Sequence, residues 1–156
     1  MSLRNILIIL IFNVLVMDGR LSLFNDTKRV INLKVPEVQH VDLYNENVEY
    51  VDEESPWERP AVFIEFGDIE WRPLTGAKLS QRGEGDVRLH IVTDWAEGGF
   101  EAAYHLTNKV LNALVGTGAN TEAYTVYCPH TTMTCRSHGE LMENIEVMRV
   151  KYLRDI

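Results

Sequence analysis

The sequence has little of what most catalytic and nucleic-acid-binding classes require. It contains only two cysteines, Cys128 and Cys135, among 156 residues, which is too few for a disulfide scaffold and favours a reducing compartment. Lys and Arg number 15 against 23 Asp and Glu, so the formal charge is −8. A general nucleic-acid binder shows a basic stripe instead. No phosphate-binding loop is present, because Gly83-Glu84-Gly85 lacks the following helix and lysine.

What the chain does have is the composition of an ordinary globular domain. Apolar residues make up 46% of it, which excludes global disorder. The length fits one domain with one core, and no repeat, low-complexity segment or linker divides it. The expected organisation is an apolar N-terminal extension or helix over residues 1–19, followed by a single α+β domain over residues 20–156.

The N-terminal run Ile6–Met17 has eleven apolar residues interrupted by Asn13. Twelve residues are too few to cross a bilayer, which needs about 20. Arg4 precedes the run, but Val16–Arg20 offers no small-x-small cleavage site for a signal peptidase. We therefore favour a buried helix or an oligomer contact. A cleaved signal peptide, or translation starting at Met17, remains an alternative.

Hydrophobic periodicity predicts an alternating set of helices and strands. Strand patterns alternate with period two, and the helical patterns recur every three to four residues. Asp94 and Glu97 match a capping box with Asp in place of Ser or Thr, and the glycine-rich stretch before residue 86 indicates a long loop. The predicted elements are helices over residues 3–16, Ser22–Lys34 and Glu97–Leu114, strands Val38–Tyr44, Ala61–Phe66 with an extension Ile69–Arg72, Asp86–Thr93, Thr121–Tyr127, Thr131–Cys135 and Asn144–Leu153, and a loop Pro73–Gly85.

One sheet–helix layer is expected to form the core. The two central strands and the second helix each present one apolar face. The tryptophans Trp57, Trp71 and Trp95 flank those strands, where they close the ends of the core or anchor a subunit interface. The predicted core residues are Val62, Ile64, Phe66, Val87, Leu89, Ile91, Phe100, Val110, Leu111 and Leu114.

The sharpest candidate for chemistry is the cluster Cys128, His130, Cys135 and His138, whose thiols and imidazoles are zinc ligands. Its C-x-H-x4-C-x2-H spacing is not the usual paired C-x2-C knuckle. We therefore favour the interpretation that two strands contain these residues by chance. Either cysteine could instead be a nucleophile beside a histidine, but neither precedes a predicted helix that would lower its pKa.

Paired carboxylates are a third candidate, formed by Glu65 with Asp68 or by Glu84 with Asp86. Acids at strand ends are commonplace, and a nuclease would need basic residues beside its phosphate. The segment Asp42–Glu54 carries six acids and no base. It is predicted to be a solvated loop or hairpin, or alternatively a negative face toward a partner or a pore.

The order of these elements over residues 20–153 resembles the tail-terminator, or tail-completion, proteins of long-tailed bacteriophages. The residues that carry the resemblance are Val41-Asp42-Leu43-Tyr44, Arg59-Pro60-Ala61-Val62-Phe63-Ile64-Glu65-Phe66, Val87-Arg88-Leu89-His90-Ile91-Val92-Thr93, the helix Glu97–Leu114 and the closing strand Ile145–Leu153. The resemblance implies an α+β fold, with a single mixed β-sheet, helices packed on one face, and a subunit that forms a ring.

The resemblance also implies a function. The ring, commonly a hexamer, caps the tail tube and joins it to the head connector, so the protein lies at the head–tail junction of the virion after assembly in the host cytoplasm. The implied partners are further copies, the tail-tube protein and a head-completion or connector protein, with DNA passing through the lumen without specific binding. It implies no enzyme activity, cofactor, metal or membrane. The alternatives are another neck or tail ring, such as a connector, stopper or tube subunit, and a small zinc-dependent cytoplasmic enzyme using Cys128, His130, Cys135 and His138.

Two segments are the candidate interfaces of such a ring. The acidic segment is one, and the tip of the predicted loop is the other. The loop is expected to be mobile in the monomer, so that deleting its last five residues would leave the fold intact. The candidate interface residues are Asp42, Glu46, Glu49, Asp52, Glu53, Glu54, Gln81, Arg82, Gly83, Glu84 and Gly85.

Overall fold

The computed structural model describes residues 19–45, 57–74, 80–116, 124–135 and 141–155. Two helices and five strands lie in these ranges. The predicted helix over residues 3–16 lies outside them. In chain order the elements are α1 (Arg20–Lys34), β1 (His40–Leu43), β2 (Ala61–Pro73), β3 (Ser80–Asp94), α2 (Gly99–Gly116), β4 (Tyr124–Cys135) and β5 (Leu141–Asp155).

The five strands form one mixed sheet in the order β1-β2-β3-β5-β4. The outer strand β1 runs parallel to β2, and the other neighbouring pairs are antiparallel. Both described helices pack on one face of this sheet, since residues such as Ile31 of α1 and Val110 of α2 share a buried cluster with Leu89 and Val150. The predicted α+β fold with a single mixed sheet and helices on one face is confirmed.

Alternating side chains place the core between the helices and the sheet. In β3, Val87, Leu89 and Ile91 are fully buried on the helix side, while Arg88 between them is exposed. Period-two alternation directs neighbouring residues to opposite faces. The core prediction is confirmed for Val62, Ile64, Val87, Leu89, Ile91, Val110 and Leu114, while Phe66 and Leu111 are partly buried against that cluster.

The prediction for Phe100 is wrong. This side chain is 43% exposed because α2 begins at Gly99 rather than at Glu97, and the buried stripe of the helix runs through Ala103, Leu106 and Val110. Phe100 lies on the same side of the helix as the buried Thr107, seven residues later, but in the first turn, at the end of that stripe.

The predicted capping box is also not formed. The carboxylate of Asp94 accepts a hydrogen bond from Nε of Arg59 at 2.6 Å, so it is engaged across the strand ends instead of at the helix. The chain enters α2 through Gly98 and Gly99, whose φ angles are 97° and 57°. Those left-handed conformations favour glycine and replace the predicted cap as the reason the helix starts there.

The predicted loop Pro73–Gly85 is wrong, because β2 continues to Pro73 and β3 begins at Ser80. The two strands form a long ribbon, with an irregularity between Phe66 and Ile69. Gly83 lies opposite Trp71 in this ribbon, and a Cβ at Gly83 would sit 2.6 Å from Cγ2 of Ile69 and 2.8 Å from the Trp71 ring. The glycine is there to admit these side chains, not to make a turn.

The ribbon also overturns the expectation that residues Gln81–Gly85 can be removed without harm. These five residues belong to β3 and pair with β2 on one side and β5 on the other. Deleting an odd number of residues would turn every following side chain to the opposite face of the sheet.

The two strands predicted around Pro129 are one strand. The register of β4 against β5 is irregular between Val126 and Cys128 and again between Pro129 and Thr131. Proline lacks the N–H that a central strand needs, and it is tolerated here because β4 is an outer strand of the sheet.

Candidate functional site

The sheet face opposite the two helices, which we call the open face, carries most of the described charged side chains of the strands. Direct cross-strand partners share a face in an antiparallel pair. Glu65 therefore lies on the same face as its partner Arg88, and Asp86 on the same face as its partner Arg149. This face gathers ion pairs into two clusters.

The first cluster surrounds His90, whose side chain is only 5% exposed. Its Nδ1 lies 2.5 Å from Oε1 of Glu143, and its Nε2 lies 3.2 Å from Oε1 of Glu65. The ring of Tyr44 stacks on the imidazole at 4.0 Å, with planes 7° apart. Both ring nitrogens are thus occupied by carboxylates from β2 and β5, so the cluster ties three central strands together. In this arrangement the imidazole has no nitrogen left for a substrate.

The second cluster centres on Asp86 and Arg149. Asp86 Oδ1 is 3.2 Å from Nε2 of His130 and 3.3 Å from Nη1 of Arg149, whose Nη2 is 3.5 Å from Glu84. Partial burial raises the pKa of Asp86, but hydrogen bonds and charge from His130 and Arg149 outweigh it and lower that pKa. The carboxylate is therefore ionised near neutral pH and acts as an anchor between β3, β4 and β5.

These contacts show what three of the four predicted carboxylates do. Glu84 and Asp86 both bind Arg149. Glu65 contacts His90 and lies 3.8 Å from the guanidinium of Arg88. Each of these acids is neutralised by a neighbouring cation, as in a structural ion-pair network. Within the described ranges, no group of three or more His, Cys, Asp and Glu residues is placed to hold a metal ion.

The strand register separates the two cysteines of the proposed zinc cluster. Cys128 lies opposite Arg149 and Cys135 opposite Glu143, six residues apart along β5. At about 3.3 Å per residue this is about 20 Å, whereas ligands of one zinc ion must all approach it within about 2.3 Å. Cys128 and Cys135 therefore cannot share one ion. His138 lies outside the described residues.

The predicted interface residues are divided by the structure. Asp42 lies in β1, with an exposed side chain 3.8 Å from His40, while Glu46, Glu49, Asp52, Glu53 and Glu54 lie outside the described residues. Gln81, Arg82 and Glu84 present side chains from β3, and Gln81 accepts a hydrogen bond from Arg154 at 2.8 Å. Gly83 and Gly85 are buried in the ribbon. The structure does not bring Asp42 and the β3 residues together, because they lie toward opposite ends of the sheet.

Sequence patterns missed the His90 cluster because its members are far apart in the chain. Glu143 is 53 residues from His90, and only the pairing of β3 with β5 brings them into contact. Outward-facing His90 and Glu65 were visible as alternating polar residues. No local signal identified their partner.

A cleft of about 230 Å³ lies where β2, β3 and α2 meet. Its rim carries the ion pairs Arg59–Asp94 at 2.6 Å and Lys109–Glu37 at 2.9 Å. The cleft is smaller than the roughly 300–1,000 Å³ of typical ligand pockets, and four of its charged side chains are already paired with each other. It has the size for a single inserted side chain.

No family model matches the sequence, and no curated protein matches it. Among solved structures, the chain is similar to a chain of a structure titled "Virion of native gene transfer agent (GTA) particle", with 15% sequence identity and a TM-score of 0.49, covering 81% of this chain and 84% of that one. A likeness at that identity and TM-score assigns neither a fold family nor a function. Neither described helix is long and apolar enough to span a membrane.

Proposed function

We propose that this chain is a structural subunit of a phage-like virion, and specifically a tail-terminator protein that forms a ring at the head–tail junction. The observation that carries the proposal is the one-sided packing of the sheet. Both described helices cover one face, and a smaller buried cluster that includes Trp57, Phe63 and Val92 covers part of the open face, so the rest of the open face and the outer strands β1 and β4 are left to meet other subunits. The order of elements over residues 20–153 adds the resemblance described above.

The state of the polar residues supports a structural role over a catalytic one. The imidazole of His90 has both nitrogens engaged and is buried. Asp86 is held ionised by its contacts with His130 and Arg149, and the two cysteines are too far apart to act together. Catalysis needs a nucleophile, base and orienting group in mutual contact around a reacting atom, and the open face instead uses its charges to hold strands together.

The outer edges of the sheet suit repeated contacts between copies. Strand β1 pairs with only four residues of the 13-residue β2, so the remaining outer edge of β2 has no strand partner among the described residues. Such an edge offers unpaired backbone N–H and C=O groups. A heterologous contact between an edge of one copy and a different surface of the next closes into a ring when its rotation is right. The ring of copies would then contact the last ring of the tail tube around its whole circumference, so that each contact is repeated once per subunit.

The candidate interface residues take different parts in this proposal. Asp42, with Glu46, Glu49, Asp52, Glu53 and Glu54, is proposed to form an acidic surface toward the tail tube or the lumen, where negative charge lets DNA pass without sticking. Gln81, Arg82 and Glu84 are proposed to contact a neighbouring copy, and Gly83 and Gly85 to shape the ribbon that presents them.

Electron microscopy of particles from a knockout complemented with this chain tests the proposal. If the chain is a tail terminator, particles made without it should have tails of abnormal length, or heads and tails that stay separate. Complementation should restore normal particles. Heads and tails of normal dimensions that fail to join would indicate that the chain is a connector or stopper. Absence of tails would indicate that it is a tube subunit. Normal, infectious particles without the protein would refute any virion role. Light scattering on the purified chain tests the ring directly, and a monomer at all concentrations with and without tail tubes would count against it.

A further inference from the structure

Three aromatic side chains form an exposed ridge where β3 leads into α2. The Trp95 and Phe100 rings meet edge to face at 4.6 Å, and Phe100 stacks with Tyr104 at 5.9 Å. Phe100 is 43% exposed and Tyr104 48% exposed. We call Trp95, Phe100 and Tyr104 the aromatic ridge. Contiguous exposed aromatic surface is characteristic of protein contact sites, where Trp and Tyr supply much of the binding energy.

The ridge is acidic as well as apolar. Glu97 precedes the helical members of the ridge, and Glu101 lies between Phe100 and Tyr104 in the chain. Both glutamates are exposed. Glu101 lies 3.9 Å from the His105 imidazole, and both of those side chains are more than three-quarters exposed, so the contact contributes little. A partner for this surface should therefore combine aliphatic groups with cations.

The opposite end of the sheet has that composition. Arg72, Arg82 and Leu153 form one row across β2, β3 and β5, since Arg82 lies opposite Arg72 on one side and opposite Leu153 on the other. Leu74 follows directly, and Leu74 and Leu153 are each 43% exposed. We call Arg72, Leu74, Arg82 and Leu153 the ribbon tip.

Glu70 and Glu84 line the same cleft as the two arginines of the ribbon tip, and Glu84 is held by Arg149 at 3.5 Å. Arg72 and Arg82 are like charges in directly opposed positions, which destabilises a strand pair. Arg72 contacts Glu70 at 3.2 Å, but both side chains are over 70% exposed, so that pair offsets little of the repulsion. A carboxylate from elsewhere, placed beside the two arginines, would relieve it.

We propose that the ribbon tip of one copy docks on the aromatic ridge of a second copy. The 15-residue β3 joins the two surfaces, and at about 3.3 Å per residue its ends are about 45 Å apart, so they cannot meet within one chain. Arg72 and Arg82 pair with Glu97 and Glu101, and the leucines cover the exposed rings. Arginine over an aromatic face is favourable, as the contact of Arg154 on Trp71 at 3.9 Å already shows within this chain.

This contact is head-to-tail, because it joins two different surfaces of identical subunits. Such contacts propagate, and they close into a ring or continue as a filament. The inference rests on the proposed ring and identifies which surfaces form it. It does not depend on which layer of the virion the ring occupies.

Charge reversal tests the contact. The variants are R72E/R82E at the tip, E97R/E101R at the ridge, and the chain carrying all four substitutions, with assembly followed by light scattering over about 1–100 µM subunit. Each pair alone should raise the concentration needed for assembly by about tenfold or more, because it places like charges across the interface. The fourfold variant should recover assembly, because the charges are exchanged but again opposite.

An apolar variant gives an independent readout. F100S/Y104S should also weaken assembly by about tenfold or more, whereas L33S, which removes an exposed leucine from α1 that is 71% exposed, should not. Circular dichroism must show that each variant folds. Normal assembly of F100S/Y104S, or failure of the fourfold variant to recover, would overturn this contact while leaving the ring itself intact. A wild-type chain that stays monomeric both with and without tail tubes would overturn both the contact and the proposed function.

Discussion

Leu89→Ala is expected to destabilise the fold by about 2–5 kcal/mol, the range for truncating a fully buried leucine. Leu89 is 0% exposed, at the centre of β3, and belongs to the cluster that joins the sheet to both helices. Its neighbours Ile64 on β2 and Glu146 on β5 are held in register by strand pairing, so the cavity left by the missing carbons cannot close easily. The upper part of the range is therefore the more reasonable expectation.

The assay is thermal or chemical unfolding followed by circular dichroism. For a chain of this size, 1 kcal/mol corresponds to a shift in Tm of about 2–4 °C, so a loss of about 4–20 °C is expected. Phe100→Ala is the matched control, because sequence periodicity places Phe100 on the same core although the structure leaves it 43% exposed. That variant should cost about 1 kcal/mol or less in the monomer. Equal losses at both positions, or a Leu89→Ala variant that melts like wild type, would refute the placement of α2 on the sheet.

Two further variants test the ribbon and a buried carboxyl. Gly83→Ala should cost about 1–3 kcal/mol, because its Cβ would lie 2.6 Å from Ile69 and 2.8 Å from Trp71; an unchanged unfolding midpoint would contradict the close pairing of β2 with β3. Burial raises the pKa of Glu146, against a smaller lowering by the hydroxyl of Thr132, which donates at 2.8 Å. A raised carboxyl pKa gives stability at low pH that is lost as pH rises through the folded-state value, so Glu146→Gln should gain stability relative to wild type as pH rises above about 4.3, the usual pKa of a glutamate. A difference that does not change with pH would show that Glu146 is not shifted.

Local patterns were sufficient to predict most elements and the side of each that is buried. The alternation Val87, Leu89, Ile91 and the helical spacing around Val110 are properties of neighbouring residues, and burial of one face follows from them directly. The helix over Ser22–Lys34 and the final strand were predicted within a few residues of their observed bounds for the same reason.

Glycine caused the largest error, since its meaning depends on what packs against it. Gly83 and Gly85 resemble loop residues in a linear chain. In the sheet, side chains of β2 such as Ile69 and Trp71 pack directly over these glycines. This packing depends on the register between β2 and β3. Phe100 was misplaced for a related reason, because the buried stripe of α2 is fixed by where the helix rests on the sheet and not by its own period alone.

The sequence by itself predicted an acidic α+β chain in which helices pack on a sheet, because composition and hydrophobic period act locally along the chain. Only the tertiary structure decided which polar residues meet. It joined His90 to Glu143 across 53 residues, set Cys128 and Cys135 too far apart along β4 to act together, and placed the aromatic ridge and the ribbon tip at opposite ends of one sheet. Those relations arise from strand order and register, which are chosen by the packing of the whole core and leave no mark in any short stretch of sequence.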